Sequence, residues 1–443
     1  MNWKQLLSNK RLGKEGTHKE ASEKRTDFQR DYDRLIFSAA FRRMQNKTQV
    51  FPLPGSVFVH NRLTHSLEVA SVGRSLGYDV ADILLRKHPE LAQTTIAEIG
   101  AIVSAACLAH DMGNPPFGHS GERAIQSFFS DGEGHKLKQE LPDAVWQDIT
   151  KFDGNANTFR LLTHQFQGHR AGGLTMTYST LAAFVKYPYA SRFAERKPKF
   201  GYFDAEKDLF SRIADELGLI CLEERDGLRR YARHPLAFLV EAADDICYEI
   251  MDIEDASKLH IISVEKAHNM LLSFFSPEDS QRLRTSYAMV TDQNDRTVYY
   301  RSCAINALEQ ACVRVFTDHE QEILEGRFSG SLIGHLPEPM RTAYEKCAEF
   351  SKANIYNAKV VTDIDLAGYH IIYTLMGLMT EAILNPSKAY SKLLLQQASQ
   401  QYELQATDLA TRVMAVLDYL SGMTDVYALD LYRKISGQSL PNV

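Results

Sequence analysis

The stretch IGAIVSAACLAHDMGNPPFGHSGE, residues 99–122, carries an apolar helical repeat that ends at a histidine and an aspartate. Apolar residues recur at intervals of three and four before His110, which predicts a buried helix. His110 lies four residues after Ala106, so it continues the buried face. Two glycines and two prolines lie between Asp111 and His119 and predict a break at 113–121. This order suits ligands at a helix end that faces a cavity, with the loop bringing His119 to the same cavity; a plain helix terminator is the alternative.

The same helical period recurs along most of the chain. It is clear in two further stretches, with Leu63, Leu67 and Ala70 in the first and Leu236, Val240 and Ala243 in the second. Strict alternation is rare, and TVYYRS at 297–302 is the best candidate for a strand. The pattern predicts an all-α fold, with a helical core, an additional helical C-terminal region and very few short strands.

Breaks in the pattern divide the chain into three predicted parts. They are a basic N-terminal arm with the first helices (1–48), a core with insertions (49–260), and a helical C-terminal region packed on that core (261–443). A Pro/Gly loop at 50–58 enters the helix of His65. Further breaks are predicted at 131–135, 186–203 and 335–342.

The composition indicates a globular protein. Of the 443 residues, 44% are hydrophobic and 24% charged, and the net charge is −6 with histidine neutral. Residues 1–47 nevertheless carry a balance of +6, which leaves −12 on the remainder. A basic arm on an acidic body suits a polyanionic ligand such as a phosphate group or a nucleic acid. A solvated arm without a partner is the alternative.

Neither the N-terminal stretch nor the cysteines indicate export. MNWKQLLSNKR lacks the apolar core of a signal peptide, and no apolar run approaches the roughly 18 residues that cross a bilayer. None of the six cysteines forms a C-x-x-C pair, and several lie in apolar helical stretches. We expect reduced, buried cysteines and a cytoplasmic protein that does not bind membranes.

Three predicted helices carry side chains suited to a divalent metal ion. One helix carries His65, and another ends at His110 and Asp111. On the third helix, every fourth residue falls on one face: Leu236, Val240, Asp244, Tyr248 and Asp252. Asp245 points about 100° away from Asp244. A buried carboxylate is costly unless it is paired or coordinated, which favours Asp244 as the inward one. Taken singly, each residue also fits an ordinary core histidine or a solvated acidic face.

Five ordered strings in the sequence are informative as a set. They are RTDFQRDYDRLIFSAAFRRMQNKTQVF, NRLTHSLEVA, CLAHDMGNPPFGHSGE, LTMTYSTLAAFVKYPY and EAADDICYEIMDIEDA. Together, over about residues 25–260, they resemble the deoxyguanosinetriphosphate triphosphohydrolase (dGTPase) family. The residues His65, His110, Asp111 and Asp244 resemble the H…HD…D signature of the HD-domain phosphohydrolases.

The resemblance implies an all-helical HD fold and one divalent metal ion held by those four residues. Two imidazoles and two carboxylates suit Mn²⁺, Fe²⁺, Co²⁺, Ni²⁺ or Zn²⁺, and Mg²⁺ less comfortably; we expect Mn²⁺, Mg²⁺, Co²⁺, Ni²⁺ or Fe²⁺. The family cleaves a deoxynucleoside triphosphate (dNTP) at the α-phosphorus and releases the deoxynucleoside and triphosphate. A dNTP is therefore the expected substrate.

The resemblance also implies roles for residues that touch the substrate. His119 matches the catalytic histidine of the family and moves a proton, and Glu122 orients it. The implied phosphate contacts are Arg62, Lys186 and Tyr187. The implied contacts to the 3′-hydroxyl of the sugar are Gln49, Tyr248 and Asp252. A tyrosine ring packed beneath the sugar would also exclude a 2′-hydroxyl.

One position departs from the wider HD triphosphohydrolase group. Asn114 stands where relatives in that group can carry a histidine. Because an amide does not donate a proton near neutral pH, Asn114 is expected only to form hydrogen bonds at the substrate. The acid–base work then falls on His119.

Two other functions fit some of these features. Another HD phosphohydrolase that acts on nucleotides is one, but the stretch after Asp111 has no acidic residue before Glu122 and no G-Y-P string. A regulator that responds to nucleotides or single-stranded DNA is the other, because basic and aromatic residues at 186–203 suit such a groove. The family resemblance implies a homo-oligomer, a hexamer, and a nucleotide or single-stranded DNA effector. The preferred base stays open.

Overall fold

A computed structural model describes residues 1–15, 24–51, 59–195 and 198–438. Parts of the predicted basic arm, Pro/Gly loop and aromatic-basic stretch (16–23, 52–58 and 196–197) lie outside the described residues. Apart from two short strands, the regular secondary structure of the described residues is helical, so the predicted all-α class is confirmed.

The helices of the first half of the chain are α1 (Trp3–Leu6), α2 (Asp27–Ile36), α3 (Ala39–Arg43), α4 (Arg62–Lys87), α5 (Ile99–Ala109), α6 (Gly118–Ser130), α7 (Asp143–Thr150), α8 (Gly154–Thr163), α9 (Tyr178–Ala183) and α10 (Lys207–Leu217). Two strands follow, β1 (Cys221–Arg225) and β2 (Leu228–Tyr231). The remaining helices are α11 (Pro235–Lys258), α12 (Val264–Leu272), α13 (Pro277–Ser286), α14 (Gln293–Asp318), α15 (Glu320–Leu324), α16 (Glu338–Phe350), α17 (Lys359–Leu384), α18 (Ala389–Leu395), α19 (Leu409–Ser421) and α20 (Asp425–Ile435).

Helices α4, α5 and α11 pack against one another at the centre of the molecule. A capping box between Asn61 and Thr64 starts α4, because each side chain accepts the backbone N–H that the other residue donates. Helix α5 is almost wholly buried. The two helices approach closely at Gly77 and Gly100, where a Cβ on Gly77 would lie 2.7 Å from the Cα of Gly100. This contact lets the start of α5 lie directly against α4.

The C-terminal helices join two separate hydrophobic cores. Side chains of α12, α14 and α16 belong to the core formed by α4, α5 and α11, together with N-terminal residues such as Trp3 and Leu6. Helices α17, α19 and α20 instead share a second core with α6 and α7. Helix α6 therefore packs on α17, in the second core.

A buried ion-pair cluster joins α8 to α19. The Nε and Nη2 atoms of Arg160 donate to the two carboxylate oxygens of Asp418 at 2.7 and 2.8 Å. Its Nη1 donates to Glu206 Oε1 at 2.8 Å. All three side chains are about 6% exposed. This arrangement ties the second core to the helix that supports the loop after His110.

We expect Arg160→Met to destabilise the fold by about 3–5 kcal/mol, because it leaves two buried carboxylates without their cation. The free energy of unfolding, measured by urea titration, checks this expectation. The matched change Arg86→Met, at a side chain that is 69% exposed, should stay within about 0.5 kcal/mol of the parent. Equal effects of the two substitutions would show that the buried cluster does not stabilise the fold.

The strand predicted at 297–302 is wrong. Those residues lie within α14, where Tyr300, Ala304 and Leu308 are buried at helical spacing. The observed strands β1 and β2 form an antiparallel hairpin elsewhere. Its turn is Asp226–Gly227, with φ of 54° and 72°. Asp-Gly is a strong hairpin signal, but the flanking residues are charged and largely exposed, so the hydrophobic pattern did not reveal them.

All six cysteines are free thiols. Four are buried, Cys303 is partly buried and Cys221 is exposed, so the expectation that all are buried is wrong for Cys221. It lies on β1, outside both cores. No helix among the described residues has the length and apolar character needed to cross a membrane.

Candidate active site

Three helices bring together the four predicted metal ligands. His65 lies in the first turn of α4, His110 and Asp111 follow the end of α5, and Asp244 lies within α11. The Nε2 atoms of His65 and His110 lie 3.1 and 3.4 Å from Asp244 Oδ1. His110 Nε2 lies 3.7 Å from Asp111 Oδ1. The nearest ligand atoms of His65, His110 and Asp111 all lie within 4.8 Å of one another.

The hydrogen bond at Nδ1 and the carboxylates around His110 fit a metal ligand. Its Nδ1 donates to the backbone carbonyl of Cys107 at 2.6 Å, which directs the Nε2 lone pair toward the cluster. That Nε2 is buried and has no hydrogen-bond partner. Burial opposes charge on the ring, but Asp111 and Asp244 outweigh it and raise the pKa of His110 to about 9. A divalent cation competes with that proton for the same lone pair, so the site favours bound positive charge.

Two neighbouring side chains hold Asp111. Arg62 Nη1 donates to Asp111 Oδ2 at 2.5 Å, and the side-chain amide of Asn114 donates to the other carboxylate oxygen. Burial raises the pKa of Asp111, but Arg62 and the nearby histidines together lower it by more than burial raises it, so the net shift is downward. Gly118 allows Arg62 to lie here, because a Cβ at Gly118 would be 2.7 Å from Arg62 Nη2.

His119 forms a hydrogen-bonded pair with Glu122. It lies in the first turn of α6, not in the loop where the sequence placed it. Its Nδ1 lies 2.8 Å from Glu122 Oε2, and Glu122 Oε1 accepts the backbone N–H of Gly154 at 2.7 Å. Burial raises the pKa of Glu122, but His119, Lys199 and the Gly154 N–H together lower it by more than burial raises it, so the group is a carboxylate. The imidazole is 73% exposed, which leaves its Nε2 open to a ligand.

Sequence analysis missed two residues behind this pair. Asp153 is fully buried and accepts the backbone N–H of Phe200 at 3.1 Å. Lys199 Nζ lies 3.4 Å from Asp153 Oδ1 and 3.8 Å from Glu122 Oε2. The available signals were modest: Asp153 caps α8, and Lys199 falls in the aromatic-basic stretch 186–203.

Lys186 and Tyr187 lie on another side of α11. Lys186 Nζ lies 3.0 Å from Glu241 Oε1, and Arg233 pairs with the other oxygen at 2.7 Å. Burial lowers the pKa of Lys186, but Glu241 and Asp245 raise it more strongly, so it stays charged. Asp245 therefore lies on the lysine side of α11, whereas Asp244 faces the imidazoles.

A cavity of about 270 Å³ borders this cluster. Lys186, Tyr187, Arg230 and Arg233 are among its lining residues, together with the aromatic ring of Phe328. The cavity therefore offers cationic and aromatic groups next to the two predicted triphosphate contacts. Arg230 and Arg233 were not singled out from the sequence.

Of the residues expected to contact the sugar, Gln49 has a buried oxygen without a hydrogen-bond partner and Asp252 is hydrogen-bonded to another side chain. Gln49 Oε1 is buried and has no hydrogen-bond partner. Asp252 is buried and accepts a hydrogen bond from Tyr356 Oη at 2.8 Å, and the rings of Tyr248 and Tyr356 lie 5.7 Å apart. Burial raises the pKa of the Asp252 carboxyl well above its usual range. The sequence provided no signal for Tyr356, which lies more than a hundred residues after Asp252.

Two family models match the chain. The model of the HD domain matches residues 62–141, a range that includes His65, His110, Asp111 and His119. The model of the phosphohydrolase-associated domain matches residues 334–434. That second range contains the C-terminal helices of the second core and the tyrosine that contacts Asp252.

Curated proteins resemble the chain along its whole length. A protein named deoxyguanosinetriphosphate triphosphohydrolase-like from Pseudomonas aeruginosa PAO1 is 36% identical, and the alignment covers both chains completely. A protein of the same name from Synechocystis is 40% identical over 99% of this chain and all of its own. A deoxyguanosinetriphosphate triphosphohydrolase from Klebsiella pneumoniae is 28% identical over 92% of this chain and 93% of its own.

Proposed function

This chain belongs to the dGTPase family of HD-domain phosphohydrolases, and we propose that it hydrolyses dNTPs at the α-phosphorus to a deoxynucleoside and triphosphate. It is a triphosphohydrolase. The observation that carries the specific reaction is the convergence of His65, His110, Asp111 and Asp244 from three helices on one cluster.

The donor set suits one divalent cation held by His65, His110, Asp111 and Asp244. When bound, such an ion withdraws charge from an α-phosphate oxygen and lowers the pKa of water. Arg62 and Asn114 hold Asp111 in place for this role, since each donates to one of its oxygens.

His119 is the proposed proton-transfer group. Glu122 accepts the hydrogen bond of Nδ1–H, which leaves Nε2 with the lone pair that takes a proton from water or, once protonated, gives it to the leaving 5′-oxygen. The backbone N–H of Gly154 anchors the other oxygen of Glu122, so the pair has one orientation.

Cations and polar groups on both sides of α11 provide the proposed substrate contacts. Lys186 and Tyr187, which line the cavity, contact the triphosphate, and Arg62 contacts the phosphate nearest the proposed metal ligands. Gln49 and Asp252 receive the 3′-hydroxyl, while the ring of Tyr248 packs beneath the sugar. The buried, unpartnered Oε1 of Gln49 supports this role because it needs a donor.

The proposed partners are a dNTP substrate and copies of this chain in a homo-oligomer, a hexamer by family resemblance. A nucleotide or single-stranded DNA effector is proposed on the same basis. Location in the cytoplasm stays a prediction from the cysteines, all of which are free.

The test is a panel of the four dNTPs, singly and mixed, with Mn²⁺, Mg²⁺ or Co²⁺, scored for triphosphate. We expect release of triphosphate and deoxynucleoside in equal amounts without added DNA. Binding of nucleotides or DNA with no hydrolysis under any metal would instead identify a regulator. Release of a deoxynucleoside monophosphate and pyrophosphate would contradict the proposed bond cleavage.

We expect Glu122→Gln to lower kcat by about 10- to 100-fold, as is typical when the partner that orients a functional histidine is lost. A glutamine that keeps accepting the Gly154 N–H turns its NH₂ toward His119, which forces the opposite tautomer. Steady-state kinetics and metal stoichiometry check this, with stoichiometry unchanged. Glu140→Gln, at an exposed glutamate, is the control; equal kcat for the two variants would remove Glu122 from this role.

A further inference from the structure

A carboxylate from the C-terminal part of the chain joins two segments of the active site. Asp425 is the first residue of α20, and its side chain is buried. Asp425 Oδ2 accepts the backbone N–H of Thr48 at 2.7 Å, and Oδ1 accepts the backbone N–H of Phe117 at 2.9 Å. Hydrogen bonds to an ionised carboxylate are about twice as strong as neutral ones. One side chain thus fixes two distant backbone positions.

Each of these backbone positions borders a residue of the proposed mechanism. Thr48 immediately precedes Gln49, whose buried side-chain oxygen is unpartnered. Phe117 is the residue before α6, and it adopts a left-handed conformation with φ of 60°. His119 follows in the first turn of that helix. A shift of the Phe117 backbone would therefore move the start of α6 and the imidazole with it.

Lys47 makes a second connection between the same segments. Its side chain is 2% exposed, and its Nζ donates to the backbone carbonyls of Asn114 at 2.5 Å and Ser421 at 2.9 Å. The backbone carbonyl of Lys47 accepts the N–H of Arg62 at 3.2 Å. The segment that carries Gln49 is therefore attached to α4, to the loop after Asp111 and to the end of α19.

We propose that Asp425 is a positioning residue that couples recognition of the substrate 3′-hydroxyl to the placement of the catalytic histidine. The proposal rests on the proposed function, because Gln49 and His119 act there on a dNTP. The carboxylate holds Gln49 where its free oxygen meets the hydroxyl, and it holds α6 where His119 meets the reacting phosphorus. The phosphohydrolase-associated region thereby contributes to catalysis without touching the substrate.

The test compares Asp425→Asn with Asp430→Asn, a matched change on the same helix. Asp430 pairs with Lys434 on the surface, and its side chain is 47% exposed. For each variant, kcat/KM is measured for the best dNTP and for its 2′,3′-dideoxy analogue, with Mn²⁺ stoichiometry and helicity recorded alongside. Asparagine keeps the shape of Asp425 but turns an NH₂ group toward one of the two backbone N–H donors.

We expect Asp425→Asn to bind Mn²⁺ normally and to lower the ratio of kcat/KM for the dNTP over the dideoxy analogue by at least about tenfold. Asp430→Asn should match the parent. In a Gln49→Ala background, Asp425→Asn should leave that ratio unchanged, because the side chain proposed to contact the 3′-hydroxyl is already absent. An equal loss on both nucleotides would overturn the proposal, since a merely structural role affects both alike.

Three further outcomes separate a folding defect, a failure of the proposed function and a failure of the positioning role. If Asp425→Asn does not fold, Asp425→Glu keeps the charge, displaces the carboxylate by one methylene group and should lower the same ratio; an unchanged ratio overturns the proposal. If the parent and Asp430→Asn release no triphosphate from any dNTP, the proposed function fails and the proposal fails with it. An active parent with an unaffected Asp425→Asn ratio overturns the positioning role alone.

Discussion

Asp111→Ala should abolish metal binding and turnover together. The substitution removes one of the proposed carboxylate ligands and leaves Arg62 and Asn114 without the group that both contact. Because a bound metal contributes several kcal/mol to the stability of a phosphoryl-transfer transition state, we expect the triphosphate release rate to fall by at least about 1,000-fold. Titration calorimetry with Mn²⁺ and a continuous assay for triphosphate measure the two losses.

The matched control is Asp82→Ala, an exposed aspartate on α4 that pairs with Arg86. It should retain full metal stoichiometry and rate. Asp111→Ala also leaves the buried Arg62 without its charged partner, which can destabilise the fold. Thermal melting of the variant therefore distinguishes loss of the site from loss of the fold. A folded Asp111→Ala that binds Mn²⁺ and hydrolyses dNTPs at the parental rate would refute the assignment of this ligand.

His119→Ala should leave the metal bound and remove most of the rate. The His119 imidazole forms its hydrogen bond with Glu122 and not with any of the four proposed metal ligands. The affinity for Mn²⁺ should therefore match that of the parent. Loss of a general acid–base group lowers kcat by about 10² to 10⁴-fold. Steady-state kinetics at saturating substrate measure kcat, and calorimetry measures the metal.

The control for this change is His169→Ala, since His169 is an exposed histidine outside the α6 region. It should be indistinguishable from the parent. A parental kcat in His119→Ala would remove His119 from proton transfer. Loss of metal in that variant would place His119 among the ligands instead.

The helical architecture was predictable because helical periodicity is local. Helix α5 shows this best: its apolar residues and the polar end at His110 lie within a short window. The wrong strand prediction at 297–302 also came from a local pattern, because Thr, Val and Tyr have high strand propensity and only six residues were considered. The helical spacing of Tyr300, Ala304 and Leu308 extends beyond that window. Prolines likewise suggested a loop at His119, although prolines before a helix start are compatible with it.

The connections between parts of the site were not predictable. Asp425 meets Thr48 and Phe117 across more than 300 residues, and Tyr356 meets Asp252 across about 100. Single polar residues at such separations carry no periodicity, and their neighbours in sequence give no sign of the partner. Residues within the ordered motifs could be proposed because their family resemblance is local, whereas these contacts arise only when segments far apart in the sequence pack together.

The most direct test of the central claim is hydrolysis of a dNTP by the Mn²⁺-loaded protein in water labelled with oxygen-18, with the products weighed by mass spectrometry. If the cluster of His65, His110, Asp111 and Asp244 directs water to the α-phosphorus, the triphosphate gains one labelled oxygen per turnover and the deoxynucleoside gains none. Label in the deoxynucleoside, or products other than deoxynucleoside and triphosphate, would contradict it.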